Sequence, residues 1–364
     1  MTTVKRFSPN KILIVGGIKS FSLISGPSLV DELRSEIQVV TWRHSLGFVD
    51  ISEATALLKE ARSFEPDLII GLGGGVSMDY AKLASGWLKL KDLEVERIFQ
   101  REVLPVLELS VNTVLIPSIF GSGAEATFHA VVYFDGRKYS QQFNKSTLLS
   151  SILVPSLSES SIREQRLSSA LDAICQGVET AWSTTASPSS RVLALEGLEN
   201  VLAGLGDYID SNATRGRDLY VLGANKIGNA MNTGKTTAPH AFSYFLTSKC
   251  FIPHGYAVGL LFLKFWAYAK SLAAQNTLGP ETVQILESID SFSSVFKAKD
   301  YLGKIDELVG ALLVDGGIGV SLGKILRSAG VGLSDLVNSV DRQRLANSPF
   351  SLDQEAQDEI FKFD

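Results

Sequence analysis

Four residues from two distant parts of the chain combine side-chain types that bind a divalent metal. Asp172 and Gln176 lie four residues apart in a strongly helical segment, so both side chains point from one face of a helix. The chain has only four histidines, and two of them, His240 and His254, flank another helical stretch. Two oxygen ligands and two imidazoles suit Fe²⁺ or Zn²⁺ with a position left open for a substrate. Each residue alone would be an ordinary polar or structural residue, so the prediction depends on the set.

Two glycine-rich turns could hold a phosphate-containing ligand. The run of glycines at residues 73–75 follows a predicted buried strand and precedes a helical pattern. Glycine lets the backbone approach a ligand closely, and a helix N-terminus offers N–H groups and a positive dipole end. The run differs from the usual GxGxxG fingerprint, and a turn without a ligand is the plain alternative. The second turn, residues 116–127, places the Ser118 and Ser122 hydroxyls beside glycines, where they could hold a ribose or a nicotinamide amide.

Alternating strand and helix patterns predict the framework that positions these turns. Strands are predicted at residues 11–15, 37–41, 67–71 and 113–117, helices at 27–34 and 52–63, and a hairpin at 130–141 that turns at Asp135-Gly136. This alternation is typical of a parallel, doubly wound sheet with helices on both faces. Helical patterns dominate from Ser161 onward. We therefore predict an α/β domain over residues 1–155 and an all-helical domain over residues 156–364.

Composition and charge exclude several classes of protein. Hydrophobic residues make up 45% of the chain and charged residues 20%, and the net charge of −5 gives no basic field to attract nucleic acid. Two cysteines, Cys175 and Cys250, form neither a disulfide framework nor a thiolate zinc site. The N-terminal segment lacks the apolar core of a signal peptide, and the longest apolar stretch, interrupted by Lys264, is too short to span a bilayer. We expect a cytoplasmic protein that binds neither nucleic acid nor a membrane.

Several blocks in the chain, in the same order, resemble the iron-containing alcohol dehydrogenase family of the dehydroquinate synthase-like fold. Residues 73–82 (GGGVSMDYAK) are similar to the family's GGGSxxDxAK, and residues 117–127 are similar to its PTTAGTGSEVT. Residues 172–176, His240 and residues 253–255 match its DAxxH, H and PHG elements, and residues 344–349 (RLANSP) are similar to its RxNNP. The resemblance implies an α/β nicotinamide-binding domain, a helical metal-binding domain, a small aldehyde or alcohol as substrate, and a homodimer.

The resemblance also implies roles for individual residues. Contacts with NAD(P)H are implied for residues of the two turns and the hairpin, namely Gly74, Gly75, Val76, Ser77, Asp79, Ser118, Ile119, Ser122, Val131 and Lys138. Asp172, Gln176, His240 and His254 would hold Fe²⁺ or Zn²⁺. Gln176 replaces the family's usual histidine and should weaken metal binding, because an amide oxygen is a weaker donor than an imidazole. Tyr244 stands where the family often has another histidine, so the proton would come from Tyr244, a ribose hydroxyl or water.

Two basic residues bear on the substrate and the coenzyme. The segment KTTAPHA (residues 235–241) and the DAxxQ pattern resemble a branch of the family that reduces phosphonoacetaldehyde to 2-hydroxyethylphosphonate. Lys235 could pair there with a phosphonate dianion, although a solvated lysine is an equal alternative. Arg43 follows the second predicted strand, where an acidic residue would bind the ribose 2′-hydroxyl of NADH. A basic residue at this place favours NADPH, or the use of both coenzymes.

Three alternatives remain beside this hypothesis. The chain could be a dehydrogenase of the same family that acts on another alcohol or on a peptide tail in a biosynthetic cluster. A dehydroquinate synthase-like cyclase fits poorly, because those enzymes use a Glu/His/His metal set. If Gln176 abolished metal binding, the chain could be a non-catalytic dinucleotide-binding protein. The hypothesis we carry forward is a reductase in which a metal-polarised aldehyde carbonyl accepts hydride from NAD(P)H.

Overall fold

The structure is a computed structural model that describes residues 6–24, 26–100, 104–135, 137–146, 148–210, 214–295, 304–340 and 345–362. The chain forms two compact units. The α/β unit comprises Met1–Ile119 and Gly123–Ser161, and the helical unit comprises Phe120–Ser122 and Ile162–Asp364. The predicted domain boundary after residue 155 falls at the start of a 3₁₀ helix, Pro155–Ser160.

The α/β unit contains seven strands among its described residues. They are β1 (Lys11–Gly17), β2 (Gln38–His44), β3 (Leu68–Gly73), β4 (Asn112–Pro117), β5 (His129–Phe134), β6 (Arg137–Gln142) and β7 (Leu149–Ser151). Five of them form a sheet in the order β2-β1-β3-β4-β7, and each neighbouring pair is parallel. The predicted parallel sheet is therefore confirmed, and its four predicted strands correspond to β1, β2, β3 and β4.

Apolar side chains cover both faces of the sheet. Successive strand residues point to opposite faces, so Leu13 and Ile69 belong to one buried cluster while Ile12 and Ile70 belong to another. Burial on both faces is typical of parallel sheets, whose strands are near-continuous apolar runs. The helices of this unit are α1 (Ile18–Leu23), α2 (Gly26–Arg34), α3 (Ile51–Phe64), α4 (Gly75–Trp87) and α5 (Asp92–Ile98).

The predicted hairpin is the antiparallel pair β5–β6. Its register places Val131 opposite Ser140 and Tyr133 opposite Lys138. Asp135 adopts a left-handed conformation with φ 51° at the predicted turn, and Gly136 lies outside the described residues. The short strand β7 was not predicted, because its sequence, LSS, has only three residues, which is too few to show the alternation that marks a strand.

The helical unit contains no strand among its described residues. Its helices are α6 (Arg163–Trp182), α7 (Pro188–Asp210), α8 (Thr214–Ala230), α9 (Ala238–Lys249), α10 (His254–Ala274), α11 (Pro280–Val295), α12 (Ile305–Asp315), α13 (Leu322–Ser328), α14 (Leu333–Asn338) and α15 (Gln354–Ile360). Helix α6 is buried around its circumference over its last three turns and packs against α7, α8 and α10. A helix so enclosed can direct polar side chains into the interior of the unit.

Helix α10 is the one helix in the described part of the chain whose length and apolar composition would allow it to cross a membrane. Half of its apolar window is buried inside the protein. Phe262, Phe265 and Trp266 are fully buried within it. A core helix meets the same criterion, so the criterion does not identify a membrane span here.

Candidate active site

Three of the predicted metal ligands converge inside the helical unit. Asp172 lies in the middle of α6, His240 in the first turn of α9, and His254 at the first residue of α10. One ligand atom from each lies within 4.8 Å of the others. His240 Nε2 is 3.1 Å, and His254 Nε2 is 3.9 Å, from Asp172 Oδ1. Asp172 and His240 are buried while the His254 side chain is 35% exposed, which gives the cluster an edge that solvent can reach.

Gln176 lies one turn after Asp172 on the same helix. Its Nε2 donates a hydrogen bond of 3.0 Å to Asp172 Oδ1. Its Oε1 is buried and has no hydrogen-bond partner among the described residues. A buried acceptor left without a partner costs about 1–3 kcal/mol, and coordination to a cation would satisfy it. The residues present therefore fit a divalent metal held by two oxygens and two imidazoles.

Opposing effects set the protonation of the cluster. Burial alone would raise the pKa of Asp172, but the hydrogen bond from His240 and the charges of His254 and His240 outweigh burial and hold that pKa below its usual value. Burial likewise disfavours the charged form of His240, yet the adjacent carboxylates of Glu179 and Asp172 raise its pKa to about 9. The cluster therefore has the electrostatic character of a cation site.

Glu179, which we did not predict from the sequence, lies behind His240. Its Oε1 accepts a hydrogen bond of 2.6 Å from His240 Nδ1. Its Oε2 accepts from the Thr237 N–H at 2.7 Å, the Thr237 hydroxyl at 3.0 Å and the His240 N–H at 3.4 Å. These N–H groups lie at the start of α9, where Thr237 is the N-cap residue and makes no side-chain cap of its own. The signal in the sequence was the spacing, because Asp172, Gln176 and Glu179 recur at intervals of four and three residues on one helix.

The two residues predicted to act on the substrate lie near the cluster in sequence. The Tyr244 ring stacks on the His254 imidazole, with ring centroids 5.6 Å apart and an interplanar angle of 6°. The Tyr244 side chain is half-buried, and its ring packs on a candidate metal ligand. Lys235 lies exposed in the segment that joins α8 to α9, and its backbone N–H donates to Thr185 Oγ1 at 3.3 Å.

The segment before α9 is also held by the C-terminal part of the chain. Asn347 Nδ2 donates to the Thr236 carbonyl at 3.2 Å, and the Ala238 N–H donates to Ser348 Oγ at 3.3 Å. Both residues belong to the RLANSP segment identified from the sequence, whose Arg344 lies outside the described residues. These contacts fix the backbone that leads to His240.

The first glycine-rich turn has the geometry of an anion site. Gly73 adopts φ 141°, a conformation that favours glycine, and Gly74 forms the extended N-cap of α4. The Ser77 and Met78 N–H groups bond to the Gly74 carbonyl, which starts the helix. Gly74, Gly75 and Val76 are half-exposed, so the N–H groups and the positive end of the helix dipole are accessible.

Ser77 and Asp79, both predicted to contact the dinucleotide, are engaged within the protein. Ser77 Oγ is 2.8 Å from Nε2 of the buried His44. The Asp79 carboxylate pairs with Lys82 at 3.0 Å and accepts the Val131 N–H at 3.0 Å. A coenzyme contact by either side chain stays a prediction, while the bond to His44 ties α4 to β2 and the bond to Val131 ties α4 to the hairpin.

Lys82 is a structural residue that the sequence motif contains but whose role we did not foresee. Its side chain is fully buried, and its Nζ donates to the carbonyls of Ala124 and His129 in addition to pairing with Asp79. Buried charges are retained when they are paired and hydrogen-bonded. Lys82 therefore fixes the end of the second turn and the start of β5 against α4.

The second turn begins in the α/β unit and continues through the helical unit. The Ser118 N–H donates to the Gly73 carbonyl at 2.8 Å, so the two predicted coenzyme-binding turns are bonded to each other. Ser118 is buried, and Ile119 and Ser122 are half-buried. Phe120–Ser122 belongs to the helical unit. A side chain at Gly121 would lie only 2.4 Å from the Ser169 carbonyl oxygen, so the close approach requires glycine.

Two buried tyrosines anchor this turn inside the helical unit. The rings of Tyr208 and Tyr220 stack with centroids 3.7 Å apart. Tyr208 Oη accepts the Phe120 N–H at 3.1 Å, and Tyr220 Oη donates to the Phe120 carbonyl at 3.0 Å. Both peptide groups of Phe120 are thus satisfied by side chains of α7 and α8.

Arg43 and Lys138, the remaining predicted coenzyme contacts, lie at the ends of their strands. The Arg43 guanidinium carbon lies 3.2 Å from the centre of the Phe21 ring. Burial, followed by the charge of Arg34, lowers the pKa of Arg43 to about 10, so the side chain remains cationic at neutral pH. Lys138 is half-buried on β6. The Phe21 ring attracts the Arg43 cation, and a contact of Arg43 or Lys138 with the coenzyme stays a prediction.

Comparison with known proteins identifies the class that this fold and site define. Residues 1–157 match the model of the iron-containing alcohol dehydrogenases, and residues 166–341 match that family's C-terminal model. The chain belongs to the iron-containing alcohol dehydrogenase family, as the sequence motifs indicated, and is an oxidoreductase of that family.

Individual relatives are more distant. The chain is 27% identical to a phosphonoacetaldehyde reductase of Streptomyces viridochromogenes over 70% of this chain and 66% of that protein. It is 24% identical to an alcohol dehydrogenase of Thermococcus barophilus over 77% of this chain and 78% of the relative. Its fold is similar to that of a sulfoacetaldehyde reductase from Bifidobacterium kashiwanohense in complex with NAD⁺, with a TM-score of 0.80 at 20% identity over 100% of this chain and 93% of the other.

Proposed function

We propose that the protein is a metal- and NAD(P)H-dependent reductase of a small aldehyde, with phosphonoacetaldehyde as the candidate substrate. The observation that carries the proposal is the cluster of Asp172, His240 and His254, completed by the partnerless Oε1 of Gln176. A divalent cation bound there would supply Lewis-acid polarisation of the substrate carbonyl. Fe²⁺ and Zn²⁺ both suit this donor set.

The chain's own residues would orient the substrate and supply the proton. Hydride from the nicotinamide would add to the carbonyl carbon, and the carbonyl oxygen would take a proton, so that aldehyde, NAD(P)H and H⁺ give alcohol and NAD(P)⁺. Tyr244 is the candidate proton donor because its ring packs on the His254 imidazole. To supply the proton, its hydroxyl would have to lie within hydrogen-bond reach of the carbonyl oxygen.

The coenzyme proposal rests on the first turn and on Arg43. The accessible N-terminus of α4 would bind the pyrophosphate. Arg43, cationic and held on the Phe21 ring, would pair with the 2′-phosphate of NADPH. Strong preference for NADH in initial-rate measurements would contradict this assignment. Replacing Arg43 with alanine should raise the KM for NADPH and leave the KM for NADH unchanged.

The substrate proposal is supported by relatives and by one lysine. Two relatives are named for phosphonoacetaldehyde and sulfoacetaldehyde, which are both aldehydes with an anionic group. Lys235 is exposed five residues before His240 and offers a cation for such a group. Lys249, exposed at the other end of α9, provides a matched control.

A panel of aldehydes tests the proposal directly. Phosphonoacetaldehyde, sulfoacetaldehyde and an uncharged aldehyde of similar size should be assayed by NAD(P)H absorbance with Fe²⁺ or Zn²⁺ added. We expect the highest kcat/KM for phosphonoacetaldehyde, and Lys235→Ala should raise its KM while Lys249→Ala does not. If uncharged aldehydes are reduced best, the protein acts on another alcohol–aldehyde pair of the family. We further propose that it works as a homodimer in the cytoplasm, which light scattering and fractionation would test.

A further inference from the structure

We infer that Glu179 is a positioning residue of the metal centre, which holds His240 in the tautomer that presents an unprotonated Nε2 to the cation. The inference rests on the proposed metal site and extends it to a residue that contacts neither substrate nor metal. Glu179 is fully buried, and all four of its described hydrogen bonds go to Thr237 and His240.

The tautomer follows from the chemistry of the carboxylate. An ionised carboxylate only accepts hydrogen bonds, so the 2.6 Å contact between Glu179 Oε1 and His240 Nδ1 requires a proton on Nδ1. A neutral imidazole with its proton on Nδ1 carries its lone pair on Nε2. Without metal, a proton on that nitrogen bonds to Asp172 Oδ1 at 3.1 Å, and a cation bound in the ligand cluster would displace this proton and take the lone pair. A histidine ligand whose other nitrogen donates to a carboxylate is fixed in both orientation and tautomer.

Charge supports the same role. Asp172 and Glu179 are both buried and face the two nitrogens of His240 from opposite sides. Two carboxylates balance one divalent cation. Uncompensated buried carboxylates are costly, so the pair is suited to a site that is filled in the working protein.

Glu179 has a simpler possible role as the N-terminal cap of α9. Its Oε2 accepts from Thr237, the residue before that helix, and from the His240 N–H in its first turn. A cap alone would affect stability and would leave metal affinity unchanged. The two roles use different oxygens, which allows a substitution to separate them.

Glu179→Gln makes that separation. The amide has one acceptor oxygen and one donor nitrogen, whereas the native contacts require two acceptors. With its oxygen towards Thr237, the amide nitrogen faces His240 Nδ1, and the His240 proton must move to Nε2. With its oxygen towards His240, the amide nitrogen faces the N–H groups of Thr237 and His240. The first orientation keeps the cap and removes the lone pair that binds metal.

Metal titration of apoprotein tests the role. Zn²⁺ or Co²⁺ dissociation constants should be measured by competition with a chromophoric chelator for wild type, Glu179→Gln and Glu164→Gln. Glu164 is exposed in the first turn of the same helix, so its substitution makes the same chemical change away from the cluster. We expect Glu179→Gln to weaken binding by about 10–100-fold, as for other partners of metal-bound histidines, and Glu164→Gln to bind as wild type does.

Three further results complete the test. Equal metal affinities of wild type and of Glu179→Leu, which offers no acceptor in any orientation, with a loss of apoprotein thermal stability, would overturn the positioning role in favour of the cap. Absence of metal binding in wild type would overturn the proposed metal site, and the positioning role with it. If Glu179→Gln does not fold, ¹⁵N NMR of Zn²⁺-loaded wild type still decides, because His240 must show a protonated Nδ1 and a metal-bound Nε2. Metal on Nδ1 would contradict the inference.

Discussion

Replacing Gln176 with leucine tests whether the amide oxygen is a metal ligand. Gln176 is 4% exposed on the enclosed helix α6, and leucine has a similar volume and favours a helix. Leucine offers neither a donor nor an acceptor. The substitution therefore removes the polar groups of Gln176 with little change in shape.

The structure sets the expected magnitude. In the apoprotein, the partnerless Oε1 of Gln176 is destabilising by about 1–3 kcal/mol. Its Nε2 contributes about 1.5–3 kcal/mol through the hydrogen bond to the Asp172 carboxylate. The two contributions oppose each other, so the free energy of unfolding of the apoprotein should change little. With metal bound, coordination relieves the Oε1 penalty, and losing that relief corresponds to about 5- to 150-fold in the dissociation constant.

The assay is a Zn²⁺ or Fe²⁺ titration paired with urea unfolding of the apoprotein. Gln165→Leu, at an exposed position on the same helix, is the control for adding a leucine to α6. Gln176→His, which supplies the ligand usual in the family, should bind metal more tightly than wild type. If Gln176→Leu binds metal as tightly as wild type, Gln176 is not a ligand and the metal is held by three residues.

Three further predictions concern residues outside the metal cluster. Lys82→Met leaves the Asp79 carboxylate without its buried cation and should lower the free energy of unfolding by about 3–5 kcal/mol in urea; a loss below about 1 kcal/mol would show that the pair is dispensable. Tyr208→Phe leaves the Phe120 N–H without its acceptor and should cost about 1–3 kcal/mol by the same measurement, with no cost as the refuting result. Burial lowers the pKa of His44 below 6.5, because the folded protein disfavours the charged imidazole. The buried neutral His44 is therefore tolerated fully above pH 6.5, and stability is lost as the pH falls below 6.5. His44→Asn should accordingly reduce the dependence of unfolding free energy on pH below 6.5 by at most about 1.4 kcal/mol per unit, and an unchanged slope would contradict the assignment.

The fold was predictable because its signals are local. Apolar runs mark β1, β3 and β4 as strands buried on both faces, and glycines at the end of β3 mark a turn into α4. The strand β7 was missed because three residues are too few to show a periodicity. It is recognised as a strand only through its pairing with β4, which a single sequence does not reveal.

The candidate site was predictable where chemistry and spacing coincide. Asp172 and Gln176 share a helix face, and the scarcity of histidines drew attention to His240 and His254. Glu179 was missed because its partners, Thr237 and His240, lie about sixty residues away. A carboxylate within a helix is usually a solvated surface residue, and only the fold shows that this one is buried.

The motif GGGVSMDYAK shows a further limit of sequence interpretation. The predicted coenzyme contact of Asp79 stays a prediction, and in the structure its carboxylate is bonded to Lys82 and to the Val131 N–H. A motif residue can contact a ligand directly, or it can hold the turn that binds the ligand. The spacing of the motif alone does not distinguish these roles. The same holds for Ser77, whose hydroxyl is bonded to His44.

The dependence of aldehyde reduction on bound metal tests the account most directly. Protein purified without oxygen should be assayed for metal content and for NADPH oxidation with phosphonoacetaldehyde, before and after chelation and after Fe²⁺ or Zn²⁺ is restored. We expect one metal ion per chain, loss of turnover on chelation and recovery on reconstitution. We expect His254→Ala to contain no metal and to show no turnover under any of these conditions. Turnover that survives chelation, or in His254→Ala, would contradict the central claim.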